Sequence, residues 1–90
     1  MAAVDPIQFS ALRKFFPELT EIQSVHVCML VFGGISIEDI AELRDVTTGT
    51  IKESLNVIQK RLGVNSMKLL RAIVISRVLM SISMYLYRED

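Results

Sequence analysis

Residues 45–64 read DVTTGTIKESLNVIQKRLGV, and the fold turns on them. Thr47 is a helix N-cap by type, because its hydroxyl can accept from a backbone amide in the first turn. Ile51, Leu55, Ile58 and Leu62 follow at steps of four, three and four, which places them on one side of an α-helix. Gly63 marks the stop, since glycine takes up the left-handed backbone of a helix end without a Cβ clash. Thr48, Thr50, Lys52, Glu53, Asn56, Gln59 and Lys60 are left for the outer side. The segment is a helix with an apolar face for a scaffold and a polar face to present.

Upstream, Ser36 with Asp39 repeats the capping pattern for a short helix carrying Ile37, Ile40, Ala41 and Leu43. Asp45 and Val46 leave room only for a tight connection. Small Ala41 allows two helices to cross closely, and Val46 is expected to plug the turn into the core. Short helix, turn and capped second helix make a helix-turn-helix, a geometry shared with ordinary helical hairpins.

The remaining punctuation marks three more helices. Asp5-Pro6 predicts a cap and first helical residue, opening a helix to about Phe16 with Ile7, Leu12, Phe15 and Phe16 buried. Pro17 ends it. Thr20 with Gln23 is a capping box for a second helix that buries Ile22, Val25, Met29, Leu30 and Phe32 and stops at Gly33-Gly34. Asn65-Ser66 caps a last helix reaching about Tyr87. Its apolar positions, Leu69, Leu70, Ile73, Val74, Val78, Leu79, Ile82 and Leu86, widened by Ile75, Met80, Met84 and Tyr85, exceed what one small core covers. The expected fold is all-α: one domain over 1–90, with an N-terminal helix in 1–18, a helix-turn-helix core in 19–66 and a dimerisation helix in 67–90.

Composition narrows the function. The 90 residues carry zero formal charge, but unevenly. Over 1–46, Arg13, Lys14 and Arg44 face seven carboxylates for a net −4. Over 47–71, Lys52, Lys60, Arg61, Lys68 and Arg71 face only Glu53 for a net +4. A neutral chain with one basic segment has a preferred face for an anionic partner. A single cysteine, Cys28, rules out an internal disulfide and fits a reducing compartment. One histidine, one cysteine and no glycine-rich phosphate loop leave no catalytic set, so no enzyme, metal or cofactor is expected. His26 is expected to be a partly buried structural residue. Glu38, Asp39 and Glu42 read as a solvated acidic face. No signal peptide is legible in 1–16. The longest uncharged run near the C-terminus, 78–87, falls short of the roughly 20 residues a membrane span needs. A cytoplasmic protein without a membrane is the expectation.

Residues 17–70 resemble the LuxR-type helix-turn-helix domain of bacterial transcription regulators. The likeness is carried by Leu19-Thr20, Gly34-Ile35-Ser36, Ile40-Ala41-Glu42, Val46-Thr47, Gly49-Thr50-Ile51-Lys52, Leu55, Ile58, Arg61-Leu62-Gly63-Val64, Ser66 and Leu70. With no receiver or ligand-sensing domain read upstream, a stand-alone regulator is the expectation; the resemblance implies that it is sequence-specific and binds double-stranded DNA as a dimer, with the helix over 48–62 in the major groove. It implies DNA contacts from Thr50, Lys52 and Arg61, and family-variable base-reading positions at Glu53 and Asn56. Thr48, Gln59 and Lys60 complete the candidate DNA-binding set, and the other reading of Glu53 is a solvent-facing or structural role at the helix dipole. It also implies dimerisation through the last helix, for which Leu70, Ile73, Val74, Arg77, Val78, Met80 and Met84 are the candidate contacts. Ile22-Gln23 replaces an Arg-Glu pair common in the family, Arg44 stands at an apolar position, and Ser54 stands where histidine is frequent. The rival expectation is a protein-interaction co-regulator or antagonist that pairs its apolar last helix with a larger regulator and touches DNA weakly or not at all.

Overall fold

The computed structural model describes residues 6–87. A 3-10 helix (Pro6–Phe15) precedes four α-helices: α1 (Glu21–Val31), α2 (Ile37–Arg44), α3 (Thr48–Arg61) and α4 (Met67–Leu86). The fold is all-α, and no strand occurs among the described residues. The expected cap at Asp5 lies outside them.

The helix starts follow from hydroxyl chemistry. Thr20 accepts from the Gln23 amide at 3.2 Å, while the Gln23 side chain accepts from the Thr20 amide at 3.0 Å. Ser36, Thr47 and Ser66 each accept from the amide three residues on at 3.1 Å. Each bond satisfies one of the amides that a helix start leaves unpaired. Left-handed residues supply the stops: Gly34 (φ 62), Asp45 (φ 57) and Gly63 (φ 74). Asp45 is the only non-glycine of the three, and aspartate is among the few side chains that tolerate this region.

The first element departs from expectation. It winds as a 3-10 helix, with three residues per turn, so residues three apart eclipse. Phe9, Leu12 and Phe15 therefore share one face and pack against the core. Ile7, expected inside from α-helical spacing, is 72% exposed. Phe16, just past the last turn, is fully buried.

α1 is the hub, touching the 3-10 helix, α2, α3 and α4. Seven consecutive residues, Ser24 to Leu30, are buried, so it is enclosed on all sides. Ile22, in its first turn, is exposed instead of buried, as is Phe32 past its end. α4 docks by a narrow row, Leu70, Val74 and Val78, with Met67 and Ile73 partly buried beside it. Arg77 ties it to the 3-10 segment. Its guanidinium donates to the Glu18 carboxylate at 2.6 Å and to the Phe15 carbonyl at 3.3 Å, and lies over the Phe16 ring. Beyond Val78 no described residue of α4 is buried, and the helix overhangs a molecule 47 × 33 × 20 Å in extent.

This burial redistributes the candidate dimer contacts. Leu70, Val74 and Val78 belong to the chain's own core and have no surface to offer a second subunit. Ile73 and Arg77 are half-buried within the domain. Met80 and Met84 are exposed, together with Leu79, Tyr85, Leu86 and Tyr87. By length and composition alone, α4 is apolar enough to cross a membrane. Crossing would pull Leu70, Val74 and Val78 out of the core they complete.

Candidate nucleic-acid interface

α2 and α3 are joined by a turn that the backbone closes in two places. The Asp45 amide bonds the Glu42 carbonyl at 3.2 Å and the Val46 amide bonds the Ala41 carbonyl at 2.9 Å. Ala41 is buried at the crossing, as its size suggests. Val46 does not plug the core: it is 40% exposed. Ile40, Ala41 and Ile51 already fill the inside of the corner, which leaves Val46 on the rim.

Ile51, Leu55 and Ile58 of α3, with Leu62 just past its end, are buried as their spacing predicts. Successive helical residues turn by about 100°. Gly49, Glu53, Asn56 and Lys60 therefore form the row directly opposite the core, with Lys52 beside it. Thr48, Thr50, Lys52, Glu53, Asn56, Lys60 and Arg61 are all exposed. Gln59 is not an outer residue: it is half-buried, and its amide nitrogen bonds the Met67 sulfur at 3.1 Å. Arg61 turns partly backward, its guanidinium 3.5 Å from the Glu18 carbonyl. Thr50 is engaged locally, its hydroxyl 3.0 Å from that of Thr47.

Glu53 sits in the middle of the outer row. No acidic residue lies in the first turn of α3, so Glu53 is too far along to work on the helix dipole. It is exposed and makes no ion pair with any described residue. Lys60 and Arg61 occupy the last turn, where cations complement the dipole. Gly49 leaves the second residue of the helix bare, and a Cβ there would meet only the Thr47 hydroxyl at 3.7 Å. Backbone can approach a ligand closely at such a point.

Ser54 answers for its own position. It points inward, half-buried, with Oγ 3.0 Å from Nδ1 of His26 on α1. His26 is only 4% exposed. Burial lowers its pKa, and the nearby Arg44 lowers it further, so both favour the neutral ring. The sequence holds a signal for this pair: at about 100° per residue Ser54 falls at the flank of the buried face, next to Ile58. Cys28 is buried, and burial pushes its thiol up to about 11. Among the described residues no cluster of histidine, cysteine or carboxylate could hold a metal. No family model, curated protein or solved structure matches the chain.

Proposed function

We propose that the chain binds duplex DNA through α3 and acts as a LuxR-type regulator in the cytoplasm. The observation that supports this best is the outer row of α3. A rigid, capped helix braced by Ile51, Leu55 and Ile58 presents polar side chains on the face opposite its scaffold. The B-DNA major groove, about 12 Å wide, admits such a helix. Lys52 and Lys60 take phosphates at the groove walls. Asn56 suits a bidentate pair with adenine, and Glu53 suits the exocyclic amine of cytosine. The amides at the start of α3, with Gly49 bare, approach a phosphate from the positive end of the helix. Gln59 drops out of the contact set because Met67 holds it. Arg61 reaches a phosphate only by leaving the Glu18 carbonyl.

Anisotropy titration against a pool of duplexes at low salt tests the reading. Lys52→Ala/Lys60→Ala should weaken binding by an order of magnitude or more, and Glu53→Lys should tighten it on non-specific DNA. Binding indifferent to all three changes means that this face of α3 is not turned to DNA.

The exposed distal half of α4 favours a second reading, pairing with another chain. In the DNA-binding reading that chain is a second copy, which doubles the phosphate contacts. In the alternative it is a larger regulator, and the protein is a co-regulator or antagonist. Sedimentation separates the two: a homodimer that binds DNA unaided removes the need for the larger partner.

A further inference from the structure

α3 is joined to the hub helix α1 by one side-chain hydrogen bond among the described residues, that between His26 and Ser54. Ile51, Leu55 and Ile58 bury the inner face of α3 against the scaffold without a directional bond. A hydrogen bond 3.0 Å long fixes one point on the circumference of α3. Ser54 is the residue next to Glu53 and two before Asn56, so a small roll at Ser54 re-aims the whole outer row.

We propose that His26 is a positioning residue for α3 and that its protonation releases the helix from this register, so that acid weakens whatever α3 binds. The inference rests on the DNA-binding reading only for the identity of that ligand.

The physical case starts from burial. A ring 4% exposed has little water to stabilise an imidazolium. Of the described charges, Arg44 on α2 is the one that acts on it, and it repels a second cation. α3 meets the ring with the neutral Ser54 hydroxyl, while Lys52 and Glu53 point to solvent. On the 3-10 helix, Arg13 and Lys14 are exposed, and Lys14 lies over the Phe15 ring. On α4, Lys68 and Arg71 are exposed and Arg77 is paired with Glu18. Glu21, the only charged residue of α1, is exposed. On α2, Glu38, Asp39 and Glu42 are exposed, as is Asp45 at its end, and among the described residues no carboxylate acts on the ring.

The direction follows from linkage. The docked state has its imidazole pKa below the ordinary value, whereas a released, hydrated ring titrates near 6.5. Above about pH 6.5 both states are neutral and the docked register is undisturbed. As pH falls below that value, only the released ring takes up a proton, so the released state gains population. The gain ends once pH passes below the docked pKa. Each unit by which the two pKa values differ allows a change of at most about tenfold in the docked population.

The test is an NMR titration of the full chain from about pH 8 to 5, following the His26 ring and the α3 amides. The ring should titrate below the free-imidazole value, and the amides around Ser54 should move through the same midpoint. In His26→Gln, which keeps a neutral hydrogen-bonding group, the α3 response should vanish. Ser54→Thr should retain it and Ser54→Ala should flatten it. Amides of α3 that ignore the His26 midpoint, or that respond equally in His26→Gln, overturn the proposal. A second arm measures duplex affinity over the same range, where acid should weaken the wild type more than His26→Gln. Equal acid loss in both sinks the positioning role and leaves DNA binding standing. Absence of DNA binding at every pH removes the DNA reading, and the NMR arm still decides the coupling.

Discussion

At Gly49 local stability and the proposed function pull in opposite directions. Glycine within a helix is destabilising relative to alanine by roughly 0.5–1 kcal/mol, because it loses more backbone freedom on folding. The site has room for a methyl group, whose only near neighbour would be the Thr47 hydroxyl at 3.7 Å. Gly49→Ala should therefore raise the midpoint of denaturant unfolding. The same methyl would stand between the first-turn amides and an approaching phosphate, so duplex affinity should fall. Gain in stability with unchanged affinity would mean that the start of α3 is not a phosphate contact. Gly33 is a different case: a Cβ there would come within 2.6 Å of the Met29 carbonyl, so its bareness belongs to packing.

At the scale of elements, the caps were legible and the faces only partly so. Thr20, Ser36, Thr47 and Ser66 each open a helix where the residue types predict, because a cap needs only one hydroxyl and an amide three residues away. A buried face depends on the helix type and on what packs against it. Of Ile7, Leu12, Phe15 and Phe16, the last three do face the core, but the 3-10 winding puts Phe9 in the row with Leu12 and Phe15 and leaves Ile7 outside. The apolar type of Val46 and its place after the turn predict a plug, but Ile40, Ala41 and Ile51 fill the corner. Helical spacing places Gln59 outward, because its tie to Met67 depends on how α4 follows α3. The Arg77 clamp was not legible either, since it joins residues 59 and 62 apart in sequence. Its parts are separable by mutation. The Glu18–Arg77 pair is partly exposed, so the ion pair alone is worth about 0–1 kcal/mol. Arg77 also holds the Phe15 carbonyl and covers Phe16, so Arg77→Ala should destabilise more than Glu18→Gln in urea unfolding. The Arg77 hydrogen bond keeps the Glu18 carboxyl below its ordinary value. That contribution is complete above the unfolded carboxyl pKa of about 4.3 and is lost as pH falls through the lower folded value. Glu18→Gln should accordingly flatten the acid limb of the stability profile. If Glu18→Gln costs as much as Arg77→Ala, the clamp is chiefly an ion pair and its backbone and ring contacts carry little.

The whole molecule joins a neutral total charge to a basic stretch over 47–71 and an apolar overhang on α4. The overhang matters because the basic stretch alone is weak. Lys52, Lys60, Arg61 and Lys68 are exposed cations that allow roughly four phosphate contacts per chain, and a duplex binder loses affinity with a log–log salt slope of about −0.9 per contact. A monomer is then expected near −3.6, and a dimer seated on two half-sites near −7. Leu79, Met80, Met84, Tyr85, Leu86 and Tyr87 supply the exposed apolar surface from which the second subunit would be recruited. Leu79→Glu/Met84→Glu changes two residues outside the core, so the fold should survive. Sedimentation of this variant should show monomer at concentrations where the wild type is dimeric, and its salt slope should fall to about half. Removing Arg61 should shorten the slope by less than removing Lys52, because Arg61 is partly held by the Glu18 carbonyl. A wild type that is monomeric with a slope near −3.6 would place the overhang outside DNA binding, and the pairing with a larger regulator would become the stronger account of α4.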